Sequence, residues 1–275
     1  MANFAGLMVV SFESRLSCPL SQLILKHGGV PVEAPALREI PIGENDAIPA
    51  FMHALAGGDF EFTLFETGVG VRYLTEAARN LGESRWPASL GTTMVIARGP
   101  KPATALRELG VRIGHQVPEP NTWRETLALL DRHYVMAGRS IAVQEYGKPS
   151  DELIAGLISR EARLTRVPVY RWALPEDTGR LRAAIKQIAD RQVGAVLFTS
   201  GQQVVHVLQV AEEEGCLDQI RTAFASDVVV GSIGPTTSEV LRAHGLPVDI
   251  EPVHPKMGHL VAAVASGWSD VGKPG

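Results

Sequence analysis

Two glycine-led turns are the first places where this chain could hold an anion. One is Gly99-Pro100-Lys101-Pro102, and the other is Gly234-Pro235-Thr236-Thr237-Ser238-Glu239. Thr236 and Glu239 have the Thr-x-x-Glu spacing of a capping box, which predicts a helix from about Thr237. In the other copy Pro102 suits the first helical position. Gly110 and Gly245 are the expected left-handed stops, with His244 as a C-terminal cap. A glycine turn that feeds a helix start leaves backbone N–H groups pointing outward, a ready place for a carboxylate or phosphate. Arg98 and Lys101 add positive charge beside the first turn. An ordinary capped helix has the same spacing. It is the occurrence of two such turns that suggests a two-sided anion clamp.

A second pair of segments offers hydroxyls and bare amides after apolar runs. These are Thr67-Gly68-Val69-Gly70-Val71-Arg72 and Ser200-Gly201-Gln202-Gln203-Val204. At the carboxyl end of a parallel strand, such turns line the edge where ligands bind. Neither carries the Gly-Lys-Ser/Thr of a P-loop or the Gly-x-Gly-x-x-Gly dinucleotide fingerprint, so ATP, NAD and flavin are disfavoured. No His-x-x-x-His, His-Glu-x-x-His or Gly-x-Ser-x-Gly occurs, and Cys18 and Cys216 stand far apart. Neither metal catalysis nor an activated serine is therefore expected. The chemistry would rest on shape, hydrogen bonds and placed charge, with no cofactor.

The elements that must position these turns follow from hydrophobic patterning. Short apolar, β-branched runs at 7–10, 60–65, 93–97, 141–143, 195–198 and 228–233 read as buried parallel strands. Between them lie helical stripes, such as Leu181, Ile185 and Ile188, or Leu20, Leu23, Ile24 and His27 before Gly28-Gly29. Strands alternating with helices predict an α/β fold with parallel sheets.

The chain also repeats itself. Phe65-Glu66-Thr67-Gly68 lines up with Phe198-Thr199-Ser200-Gly201, and the two glycine-proline turns line up in turn, at an offset of about 133 to 135 residues. A period that long, occurring twice, predicts two similar domains facing each other across a cleft. With 275 residues there is room for both, and 45% hydrophobic content is globular composition. A net charge of −4 argues against a nucleic-acid partner. No window approaches a membrane span, and Met1-Ala2-Asn3-Phe4-Ala5-Gly6 lacks the features of a signal peptide, so the cytoplasm is the expected location.

Five segments in order then resemble the uroporphyrinogen-III synthase family. They are Arg15 after the first strand, Gln144-Glu145-Tyr146-Gly147-Lys148-Pro149, Val167-Pro168-Val169-Tyr170-Arg171-Trp172, Val196-Leu197-Phe198-Thr199-Ser200 and Ile233-Gly234-Pro235-Thr236-Thr237-Ser238. The resemblance runs from about Leu7 to Val264. It implies two flavodoxin-like α/β domains joined by a two-stranded connection. Domain 1 would comprise residues 1–37 with 174–275, and domain 2 residues 38–173.

The resemblance further implies a lyase of tetrapyrrole (haem) biosynthesis that closes hydroxymethylbilane to uroporphyrinogen III. Its partner would be a small molecule, a linear tetrapyrrole polycarboxylate, and the protein would act as a monomer without nucleic acid or membrane. Tyr170 matches the family tyrosine that would hydrogen-bond the leaving hydroxyl. Substrate binding would fall to Arg15, Thr67, Gly68, Val69, Gly70, Arg98, Lys101, Lys148, Ser200, Gly201, Gln202, Thr236 and Thr237, with Arg72 and Arg171 as further basic candidates. Two departures stand out. Where many members carry Thr-Ser-x-Asn-Gly-Val, this chain has Glu66-Thr67-Gly68-Val69-Gly70-Val71, and where many have Gly-x-x-Thr-Ala it has Pro102-Ala103. A tetrapyrrole-sensing regulator and a two-domain solute-binding protein are the alternative readings.

Overall fold

The computed structural model describes residues 3–42, 46–147 and 149–273. The chain opens with β1 (Met8–Ser11), α1 (Ser17–Lys26) and β2 (Val30–Glu33), followed by a connecting strand, β3 (Arg38–Pro41). Next come α2 (Ala47–Gly57), β4 (Phe62–Phe65), α3 (Gly68–Asn80) and the short α4 (Trp86–Ser89). The half closes with β5 (Met94–Ala97), α5 (Pro100–Glu108), β6 (His115–Gln116) and α6 (Trp123–His133).

The same series then runs again about 133 residues further on. It starts with β7 (Ser140–Gln144), α7 (Asp151–Ile158), β8 (Arg163–Val167) and the connecting strand β9 (Tyr170–Ala173). It continues with α8 (Gly179–Ala189), β10 (Ala195–Phe198), α9 (Gly201–Glu213) and α10 (Leu217–Ser226). It ends with β11 (Val229–Ser232), α11 (Pro235–Ala243) and α12 (Met257–Gly267). A parallel bridge from Gly231 to Ile250 stands where β6 does in the first series.

Two compact units result, Met1–Arg38 with Ala173–Gly275, and Glu39–Trp172. The connecting strands β3 and β9 pair with each other as a two-stranded sheet, and both boundaries fall on them. In the first unit a parallel sheet has the order β11-β10-β1-β2. The second carries a parallel sheet ordered β6-β5-β4-β7-β8. Taken from its other edge, β8-β7-β4-β5-β6 is the arrangement β2-β1-β10-β11 with Ile250 behind it. Each unit therefore takes its leading β-α-β from one half of the sequence and its remaining strands from the other.

Side-chain alternation sends each central strand into two cores. Val10 and Phe198 join Leu181, Ile185, Val207 and Phe224 on one face of the first sheet, while Val9 and Leu197 meet Leu20, Ile24, Leu260 and Val264 on the other. In the second unit Phe65 packs with Leu74 and Leu106, and Leu64 with Leu130, Leu153 and Leu157. β4 and β10 are buried at all four positions, which is why they read as apolar runs, broken in β4 by Thr63 alone.

The edges differ from the sequence expectation. β2, β6 and β8 did not register as strands because edge positions are half wet. β8, Arg163-Leu164-Thr165-Arg166-Val167, is exposed at three of its five residues.

Helix starts also shift. α11 begins at Pro235 with Gly234 as its cap, not at Thr237, and Thr236 makes no side-chain cap. α5 begins at Pro100, so Pro102 sits in the first turn and not at its first position. A proline with φ already fixed starts the helix where it stands, ahead of the residues whose spacing suggested a cap. Gly110 and Gly245 adopt left-handed φ values of 73° and 71°, and His244 caps α11. No helix among the described residues is long and apolar enough to cross a membrane.

Candidate active site

At the carboxyl edge of the second unit's sheet, β4 hands over to α3 through Glu66 and Thr67. Thr67 is extended and caps the helix, its hydroxyl accepting from the Gly70 N–H at 3.0 Å. The same Oγ1 lies 3.3 Å from the hydroxyl of Tyr170, the first residue of β9. Tyr170 is only 4% exposed, and burial pushes its phenol pKa up. It therefore stays protonated and can donate. The Gly68 and Val69 amides have no acceptor among the described residues, as expected for the first two of a helix. A Cβ on Gly68 would lie 2.7 Å from the Lys101 carbonyl, so the starts of α3 and α5 are pressed together at this edge.

Charge is concentrated one residue upstream. Glu66 is buried and binds Arg98, Oε1 to Nη1 at 3.0 Å. Its second oxygen, Oε2, has no hydrogen-bond partner among the described residues. Desolvation raises its pKa to about 7; Arg98 opposes that shift, and the nearby Glu145 reinforces it. The Arg98 guanidinium lies 4.6 Å over the Tyr146 ring. Tyr146 meets Trp172 edge-on at 5.4 Å, and Tyr73 lies 5.7 Å from Tyr170. Glu145, also buried, pairs with Arg166 at 2.5 Å. The Tyr73 and Trp172 rings thus stand beside Tyr170, and Tyr146 lies under Arg98.

In the first unit the matching edge gathers other candidates. Ser200 caps α9, accepting from Gln202 N–H at 3.2 Å, and Gly201 opens the helix. Thr199 donates to Glu13 at 2.5 Å, and Glu13 in turn accepts from the Leu16 N–H at 3.2 Å. Arg15 is exposed in that same loop after β1. At the start of α11, Thr236 is exposed and Thr237 buried. The Thr237 N–H is spent on the Gly234 carbonyl at 3.0 Å, and Pro235 has none, so this turn offers fewer free donors than its sequence suggests. Ser232, Ser238 and the Glu251 carboxylate form a hydrogen-bonded chain behind it.

The candidates therefore fall into two groups. Thr67, Gly68, Val69, Gly70, Arg98, Lys101 and Tyr170 share the second unit. Arg15, Ser200, Gly201, Gln202, Thr236 and Thr237 share the first. Lys148 lies outside the described residues. Arg72 is exposed and 3.9 Å from Glu108, and Arg171 is exposed on β9. Sequence reasoning did not select Glu66, Tyr146 or Trp172 as site residues. A glutamate directly after a fully buried, mostly apolar strand was the available signal for Glu66.

Residues 19–262 match the family model described as uroporphyrinogen-III synthase HemD. A mutant uroporphyrinogen III synthase from the extremely thermophilic bacterium Thermus thermophilus is similar in structure, with a TM-score of 0.72 and 25% identity over 97% of this chain and 98% of that one. The wild-type Thermus enzyme in another crystal form gives a TM-score of 0.55 at 26% identity, covering 96% and 99%. A Bacillus subtilis (strain 168) relative, named uncharacterized protein YjjA, is 24% identical over 258 residues, 94% of each chain.

Proposed function

This chain belongs to the uroporphyrinogen-III synthase family, and on that premise we propose that it closes hydroxymethylbilane to uroporphyrinogen III, inverting ring D and releasing water. The observation that carries the reading is the Tyr170 hydroxyl, 3.3 Å from Thr67 at the sheet edge where α3 begins. In the reaction the hydroxyl of the ring-A hydroxymethyl group leaves and an azafulvene forms. Ring D attacks through its substituted carbon, and a spiro intermediate refragments before closure. The pyrroles supply most of the electronic push. The protein must hold the chain folded, assist the leaving hydroxyl and keep water from the cation.

Tyr170 suits the second task. Its buried phenol keeps its proton, so it donates a hydrogen bond to the departing oxygen without becoming a phenolate. Thr67, itself anchored by the Gly70 amide, orients that hydroxyl. Lys101, Arg98 and the Gly68 and Val69 amides would take carboxylates at the same edge, and Arg15, Ser200, Gly201, Gln202 and Thr236 would do so in the first unit. The Thr237 side chain is left as packing in this scheme.

Product isomer analysis with hydroxymethylbilane tests the proposal. Spontaneous ring closure gives the type I isomer, so type III product in excess of a no-enzyme control is the expected result. Type I alone would overturn the reaction.

A further inference from the structure

The proposed reaction leaves Glu66 without a task, although it is the most deeply placed charge at the site. Its side chain is 1% exposed, while that of Arg98 is 23% exposed. One carboxylate oxygen is committed to Arg98, and the other has no partner at hydrogen-bond geometry among the described residues, although the Tyr146 backbone N–H also acts on the carboxylate and favours its ionised form. Unmatched buried carboxylate oxygens are costly, and a proton on Glu66 removes most of that cost. Arg98 in turn has Glu66 as its hydrogen-bond partner among the described residues, so the rest of its planar fork of donors remains for a ligand.

We infer that Glu66 is a positioning residue for substrate binding: it holds Arg98 over the Tyr146 ring and sets the net charge that Arg98 offers to a substrate carboxylate, so that binding is accompanied by proton uptake at Glu66. The inference rests on the polycarboxylate substrate proposed above. With Glu66 ionised the pair is neutral. With Glu66 protonated the pair carries one positive charge, and a bound carboxylate then restores neutrality. Anion binding and protonation must each favour the other, by the same factor.

The surroundings support this coupling. Arg98 faces Glu66 from the end of β5. Glu145 and Tyr146 face it from the end of β7, with Arg166 of β8 neutralising Glu145. Tyr170 stands by from β9, and Glu152 and Glu39 act on the two tyrosines. Lys148 is outside the described residues. Desolvation holds Glu66 near 7, so both of its forms are populated around neutrality, whereas substrate carboxylates with ordinary values near 4 stay ionised.

Anaerobic calorimetric titration of uroporphyrinogen III between about pH 6 and pH 8.5, in buffers of different ionisation heat, tests the inference. For the wild type, affinity should fall about tenfold across this range, with a fraction of a proton taken up near pH 7. Glu66→Gln should bind at pH 8 about as tightly as the wild type does at pH 6, with no uptake. Arg98→Ala should bind weakly at every pH. A Glu66→Gln protein that keeps the wild-type slope and uptake would overturn the inference. Should that variant fail to fold, the wild type decides alone, since absence of proton uptake is equally fatal. Isomer analysis separates the two proposals. Wild type that binds with uptake but makes no type III product sinks the reaction and leaves this inference, and type III product without uptake does the reverse. Neither binding nor product sinks both.

Discussion

The side-chain amide of Gln144 fills the space that a Cβ on Gly70 would need, with its Nε2 only 1.9 Å from that position. Gln144 is the last residue of β7, and its Oε1 accepts from the Thr67 N–H at 3.4 Å. In the first unit the equivalent positions are exchanged. Ser11 ends β1, and Gln203 sits on the third position of α9, with its Oε1 accepting from the Thr199 N–H at 2.8 Å. Each unit thus has one glutamine steadying the turn at its sheet edge, but from opposite elements.

Gly70→Ala should destabilise the protein by about 1 to 3 kcal/mol, because the buried Gln144 must move and give up its bonds. Thermal melts should show the loss. Adding Gln144→Ser, which copies the small Ser11 of the other unit, should recover part of it. Unchanged stability in Gly70→Ala would mean that Gln144 has room to turn aside.

Tyr170→Phe should lower kcat for type III product by about tenfold to a little over a hundredfold, since one hydrogen bond to a developing charge contributes on the order of 1.5 to 3 kcal/mol. The fold should persist, because the ring stays packed against Tyr73 and Trp172. An unaltered kcat with normal circular dichroism would reduce Tyr170 to a packing residue.

Glu66 should leave a mark on stability as well as on binding. Between its ordinary value of 4.5 and about 7, the unfolded chain ionises Glu66 while the folded protein keeps the proton. Stability contributed by the protonated group is complete below pH 4.5 and is lost as pH rises toward 7, by about 3 kcal/mol in all. Glutamine does not titrate. Denaturant unfolding of the wild type and Glu66→Gln at pH 4.5 and pH 7.5 should therefore show the difference moving in favour of glutamine as pH rises. A difference that stays constant between the two pH values contradicts the raised pKa.

Lys101→Ala should weaken uroporphyrinogen III binding several-fold at low salt, and the effect should shrink as salt is raised, because an exposed cation at the α5 start acts through a screened field. Arg72→Ala should change binding less than twofold, since Arg72 is exposed on α3 and 3.9 Å from Glu108. Fluorescence titrations at about 50 mM and 500 mM salt compare the two. Equal losses in both variants, or a Lys101→Ala loss indifferent to salt, would remove Lys101 from the binding surface.

The second unit shows where sequence reading reached and where it stopped. The runs at 60–65 and 195–198 were legible as buried strands because a strand covered on both faces is mostly apolar, and the 133-residue offset between them was legible because both hand over to a helix through a small hydroxyl and a glycine. The site beyond those turns was less legible. Thr67 and Tyr170 were named, but that their hydroxyls meet depends on β9 returning beside α3, 103 residues later in the chain.

By itself the sequence determined the local order: strand, turn, helix, twice over, with left-handed glycines at 110 and 245 ending the matched helices. Such features depend on neighbours within a few residues, which the sequence states directly. Tertiary structure decided how the halves share strands, so that β7 and β8 join β4, β5 and β6 in one sheet while β1 and β2 join β10 and β11 in the other. It also decided that Glu66 is an enclosed acid poised near neutrality, because that depends on the apolar packing and on Arg98 and Glu145, groups 32 and 79 positions away. Burial and Coulomb forces act through space, and proximity in space between distant segments is set only when the sheets form.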